Sequence, residues 1–177
     1  ASGERLAGGA PPIRAGWIIH YPVHKAREDA KCVIHVHSPY ITAMSIRKDV
    51  RLETRSSQQS ASFHGDVAYY EVYDGVLSGE DEGERMAETL GDKRILMLRN
   101  HGALIAGPSV ARAYLDLYQL ERACMYQLLA TAGGGEMQLI PDDVATEINR
   151  LARVGRNIEH FAGMRRLVDE KEPDYAT

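Results

Sequence analysis

A chain of 177 residues suits one domain, and 44% hydrophobic with 26% charged side chains is the composition of a packed globular protein. The formal net charge of -4 comes from 21 basic and 25 acidic residues interspersed along the chain, so no basic block exists to track a phosphate backbone, and nucleic acid is not an expected partner. No apolar stretch approaches the roughly 20 residues of a membrane helix. Residues 1–12 lack a signal-like apolar core, and Cys32 and Cys124 are too few for a disulfide framework. The expectation is a cytoplasmic protein with no membrane partner.

Residues 1–14, rich in Gly, Ala and Pro, read as loop leading into a single domain over 1–177. Helical spacing runs from Trp17 to about Arg27, although Pro22 removes a backbone donor inside it. The β-branched run Cys32 to His37 reads as a strand, and Ser38-Pro39 opens a helix to about Arg47. Glu53 to Ser62 reads as loop, Asp66 to Val72 as strand, and the acidic run Ser78 to Leu90 as an exposed helix. Arg94 to Leu98 is a buried strand, Asn100-His101-Gly102 a turn, and Ala103 to Ala106 its continuation or hairpin partner. Val110, Ala113, Leu117, Leu120, Cys124 and Leu128 form the stripe of a long helix stopped by Gly133-Gly134-Gly135. A further helix is expected over Pro141 to Asn157, and the charged tail is partly helical.

Alternation along a strand puts the imidazoles of His35 and His37 on one side, and His101, following a second strand, completes a facial set of three with an open coordination position. A bare His-x-His on a strand is as well explained by ordinary hydrogen-bonding histidines. The surrounding strings decide it. VIHVHSPYITAMS and ILMLRNHGALIAGPSVARAYLDLYQLERAC, in this order and spacing, resemble the two signature segments of the class II aldolase/adducin family, and the resemblance runs from about Trp17 to the end.

The resemblance implies a three-layer α/β/α domain with a central, mostly antiparallel sheet flanked by helices. It also implies a divalent ion on His35, His37 and His101, zinc first, with manganese, iron or cobalt also compatible with imidazole ligands. The implied activity is that of a lyase cleaving a C–C bond next to a hydroxyl or carbonyl group, by aldol cleavage or decarboxylation, through a metal-stabilised enolate. A small hydroxy or keto compound is then the substrate, and a homotetramer with sites between subunits is the assembly.

The chain departs from the family's aldolases at one position that matters. Gly16 stands where they carry an acid/base glutamate, behind Arg14 and Ala15 in place of hydroxyl-bearing residues, and Gly16 cannot move a proton. Family domains also have roughly sixty more residues before this point, so an N-terminal portion is expected to be absent. Acid/base work is assigned instead to His20 and His24, one helical turn apart, and to Tyr70, from a region (His64, Tyr69, Tyr70, Tyr73) that in the family supplies a phenol to a neighbouring site. Arg14 is the expected group for a substrate carboxylate, with Arg99 as an alternative. The competing expectation is a non-catalytic, adducin-like binding or assembly module that keeps the fold without turnover.

Overall fold

A computed structural model of the protein describes residues 13–48, 51–73, 75, 80–155 and 158–176. The elements in chain order are α1 (Arg14–Ala26), β1 (Cys32–Val36), α2 (Pro39–Ser45), α3 (Gln58–Ala61), β2 (Val67–Tyr70), α4 (Glu80–Leu90), β3 (Ile95–Leu98), β4 (Gly102–Gly107), α5 (Val110–Thr131), α6 (Asp142–Val154) and α7 (Ile158–Lys171), with a final 3-10 turn at Pro173–Ala176.

The four strands lie in the order β1-β4-β3-β2. β1 pairs antiparallel with β4, β4 antiparallel with β3, and β3 parallel with β2, so the sheet is mixed and mostly antiparallel. One face packs on α1 and α4 through Ile18, Ile19, Val23, Val33, Tyr70, Met86, Leu90, Leu96, Leu98 and Leu104. The other packs on α2 and α5 through Ile41, Met44, Phe63, Ile95, Met97, Ile105, Leu120 and Cys124. The period of two along β3 sends Ile95 and Met97 to one side and Leu96 and Leu98 to the other, giving three layers.

Several boundaries shift from the sequence expectation. The first helix begins at Arg14 rather than Trp17, so the expected loop over 1–14 ends at least one residue earlier, and residues 1–12 lie outside the described residues. Pro22 sits inside α1 and is buried. It leaves the Ile18 carbonyl without its usual N–H donor. That carbonyl is where α4 crosses at Gly83: a Cβ on Gly83 would stand 2.2 Å from Ile18 O and 2.8 Å from Pro22 Cγ, so only glycine allows this approach. The expected loop 53–62 contains a short helix, α3, because Ser57 and Ser60 form a reciprocal capping box. The segment after the Asn100 turn is the antiparallel partner β4, not a continuation of β3. Among the described residues no helix is long and apolar enough to cross a membrane.

A buried polar network joins the layers on the α5 side. Arg94, 6% exposed, donates to Asp66 (2.6 Å) and Asp116 (2.9 Å), which are 1% and 2% exposed. Asp116 also accepts from Arg112, and Asp66 from Asn149 and Arg153 on α6. Burial opposes the charge on Asp66, but the Arg94 and Arg153 guanidinium groups and hydrogen bonds from Arg94 and Asn149 overcome it and hold the carboxyl below its ordinary range.

Candidate metal centre

β1 and β4 bring the three histidines together. The register pairs His35 with Leu104 and Val36 with Ala103, so the end of β1 carrying His37 lies against the turn carrying His101. His35 shares the α1 face of the sheet with Val33, and alternation puts His37 there as well. The ring centroids are 4.7 Å apart for His35 and His37, 4.8 Å for His35 and His101, and 4.5 Å for His37 and His101. Their candidate ligand nitrogens all lie within 4.8 Å of one another.

Local backbone makes this possible. Asn100, with φ of 55°, adopts the left-handed conformation that Asn tolerates better than most residues. Gly102 has φ of 152°, and a Cβ there would stand 2.2 Å from Val36 O and 3.2 Å from His37 Cδ2. Any side chain at 102 would push the two ligand-bearing segments apart.

The donor set fits a divalent ion. His35 Nδ1 donates to the Ala103 carbonyl at 3.1 Å, which fixes the tautomer and turns Nε2 toward the other rings. The Nε2 atoms of His35 and His37 are 2.9 Å apart. Zinc–imidazole bonds of about 2.0–2.1 Å place neighbouring ligand nitrogens roughly 3 Å apart. Burial, above all, lowers the pKa of His35 to about 4, helped by the adjacent imidazoles and opposed by the Ala103 bond, so the ring is a neutral ligand at ordinary pH. His101 is lowered in the same way, first by burial and then by His37.

Among the other residues singled out in the sequence is His20. It lies half-buried on α1 and hydrogen-bonds the Val33 backbone, and its charge acts on His35. Burial lowers its pKa, and His24 lowers it further. His24 does not share that position: it is exposed, with Nδ1 bonded to the Ala30 carbonyl at 2.8 Å. Tyr70 is 5% exposed in the core, and its hydroxyl accepts from Arg85 Nε at 3.4 Å. Tyr73 instead lies edge-on to His101, with centroids 6.3 Å apart. His64 is held by Thr54 and Asp142, and the Tyr69 hydroxyl accepts from Leu52 N. Arg14 is exposed at the first position of α1, and Arg99 is also exposed.

α1 runs back along β1, with His24 at Ala30 and His20 at Val33. A Cβ on Gly16 would meet nothing within 4 Å, so the position that the sequence reading matched to the family's glutamate is open space.

One contact beside the three histidines gave no signal in the sequence. Glu121 of α5 accepts hydrogen bonds from Ser38 Oγ (2.7 Å), Tyr40 N (3.0 Å) and Ile41 N (2.9 Å), immediately after His37. Eighty or more residues separate the partners, beyond the reach of any local pattern.

The sequence profile of the class II aldolase and adducin N-terminal domain matches residues 1–128. The fold superposes on an aldolase II superfamily protein from Pseudomonas syringae with a TM-score of 0.82 at 36% identity, over 92% of this chain and 65% of that one. It also superposes on the L-fuculose 1-phosphate aldolase of Glaciozyma antarctica with a TM-score of 0.73 at 29% identity, over 93% of this chain and 65% of that one. An adducin-related protein of Schizosaccharomyces pombe is 35% identical over 93% of this chain, which spans 52% of that protein's length. In each case the chain spans less than two thirds of its relative's length. With a profile match over most of its own length, the chain belongs to the class II aldolase/adducin family.

Proposed function

We propose that the protein is a divalent-metal-dependent lyase of the class II aldolase type, acting on a small hydroxy or keto compound by aldol cleavage or decarboxylation. The observation that carries this reading is the convergence of His35, His37 and His101, with His35 held in the ligand tautomer by Ala103. These three residues would hold the ion, zinc before manganese, iron or cobalt. Once bound, the ion supplies Lewis-acid charge to substrate oxygens.

The remaining work falls to the chain's own side chains. We assign to His20, whose pKa is lowered by burial and by His24 and whose charge acts on His35, the acceptance or return of a proton. Tyr73 offers the phenol at the His101 side, a role expected of Tyr70 from the sequence. The open space at Gly16 favours decarboxylation over aldol cleavage, because loss of carbon dioxide needs no base to deprotonate a hydroxyl. By likeness to the family we propose a cytoplasmic homotetramer.

A second reading rests on the same glycine: with no acid/base group at 16 and an adducin-related relative at 35% identity, the fold would serve as a binding or assembly module. Elemental analysis of protein purified without chelators, beside a variant with His35, His37 and His101 changed to Ala, separates the two. About one divalent ion per chain in the parent and none in the variant supports the lyase. Equal, near-zero metal in both after reconstitution with zinc, manganese or iron favours the module.

A further inference from the structure

A short helical strut, α2, follows His37 directly in the chain and touches the loop of His101 at its far end. Its first residue, Pro39, lies two positions after His37, and its last, Ser45, accepts the Asn100 N–H through its carbonyl at 3.1 Å. One end of α2 therefore sets the backbone of His37, and the other holds the residue before His101.

Three groups at the start of α2 need acceptors. Pro39 has no N–H, so the first free donors are Tyr40 N and Ile41 N. Ser38 occupies the N-cap position but makes no capping bond, because its hydroxyl donates away from the helix. All three donors converge on the Glu121 carboxylate, Tyr40 N on Oε1 and both Ile41 N and Ser38 Oγ on Oε2. Charge-assisted bonds of this kind are about twice as strong as neutral ones, and here they pin the strut to α5, the longest helix.

We propose that Glu121 is a positioning residue for the three-histidine site, fixing α2 so that His37 and His101 face His35 at ligand distance. This inference rests on the reading of the histidines as metal ligands. Glu121 touches none of them, and it acts through Ser38 on one side and through Ser45 and Asn100 on the other. Removing the carboxylate frees the strut, so that binding an ion must first reorder both ligand segments. Outer groups that orient ligands typically change metal affinity by about 10–100-fold when lost.

The test is zinc affinity, measured by competition with a chromogenic chelator, for the parent, Glu121→Ala, Glu121→Gln and a control, Asn149→Ala. The control loses buried bonds to Ser62 O and Asp66, remote from the strut. Melting of each metal-free variant is followed alongside. The expected result is an affinity about 10–100-fold weaker for Glu121→Ala, an intermediate value for Glu121→Gln, and parental affinity for Asn149→Ala even though its melting temperature drops. If Glu121→Ala does not fold, the isosteric Glu121→Gln carries the comparison. Parental affinity in both Glu121 variants, or equal weakening in Asn149→Ala, overturns the role of Glu121 alone. A parent that binds no zinc, manganese or iron overturns the metal reading itself, and the inference with it.

Discussion

His35 donates its Nδ1–H to the carbonyl of Ala103, the residue that pairs with Val36 across the β1–β4 ladder. The strand pairing that builds the sheet therefore also sets the tautomer of the central imidazole, leaving its Nε2 lone pair toward His37 and His101. Replacing His35 by Gln keeps size and polarity but offers no imidazole nitrogen. The expected result is loss of zinc binding by at least about 100-fold with a fold intact by circular dichroism, measured by chelator competition. Retained affinity would remove His35 from the ligand set.

The same ring predicts a pH dependence in the metal-free protein. His35 is neutral in the fold down to about pH 4, chiefly through burial, whereas an unfolded histidine titrates near 6.5. Between those values the unfolded chain binds the extra proton, so stability falls as pH drops through the window and levels off below it. At about 1.4 kcal/mol per unit, discounted because the ring is partly open to solvent, the loss attributable to His35 is about 1–2 kcal/mol. Urea midpoints between pH 7.5 and 4 should show a steeper decline in the parent than in His35→Gln. Parallel curves would mean that His35 titrates normally.

Gly102→Ala tests whether the turn geometry is obligatory. The added Cβ would overlap Val36 O at 2.2 Å in a backbone region that L residues avoid. β1 and the turn must separate, at a cost of about 2–3 kcal/mol, and zinc affinity should fall with stability because the displaced segments carry His37 and His101. Thermal melting and chelator competition on the same sample check both.

Much of the fold was readable because the strongest patterns were local. The β3 run Ile95 to Leu98, the stripe on α5 and the alternation that pairs His35 with His37 all report their own environment. What escaped was decided between elements. Tyr70 and Tyr73 carry the same chemistry three residues apart, yet β2 turns Tyr70 into the core while Tyr73, beyond the strand, reaches His101. His20 and His24 share a helix face in projection, but the short loop after α1 brings Ala30 back to claim His24. Asp116 did leave a trace, since it sits at stripe spacing from Ala113 and Leu120 as the one charged residue there, the mark of a buried carboxylate awaiting a partner.

That partner supplies a stability prediction. Arg94→Met fills similar space but leaves Asp66 without Arg94, and Asp116 with Arg112 alone, both in buried positions. Breaking such a network by removing one member costs about 3–5 kcal/mol. Because the Asp66 carboxyl is held below its ordinary range, its contribution is present at neutral pH and is lost as pH falls through its folded value. The deficit between parent and variant in chemical unfolding should therefore shrink at strongly acidic pH, while zinc affinity at pH 7 stays parental in the folded fraction.

Gly16→Glu addresses the chemistry. The position is helical and has nothing within 4 Å of where a Cβ would stand. Replacing a helical glycine should itself raise stability by about 0.5–1 kcal/mol, so the variant is expected to melt slightly higher than the parent. If the parent is a lyase lacking only the acid/base carboxylate for aldol chemistry, the new side chain should raise cleavage of hydroxy-carbonyl compounds by about 10²–10⁴-fold, without raising carbon dioxide release from hydroxy acids. Adding His20→Gln to the same background separates the two proton-transfer groups: a loss of carbon dioxide release with the aldol gain retained assigns His20 to decarboxylation. A Gly16→Glu variant that folds, holds one ion per chain and gains no aldol cleavage would place the obstacle elsewhere in the substrate pocket rather than in the missing carboxylate.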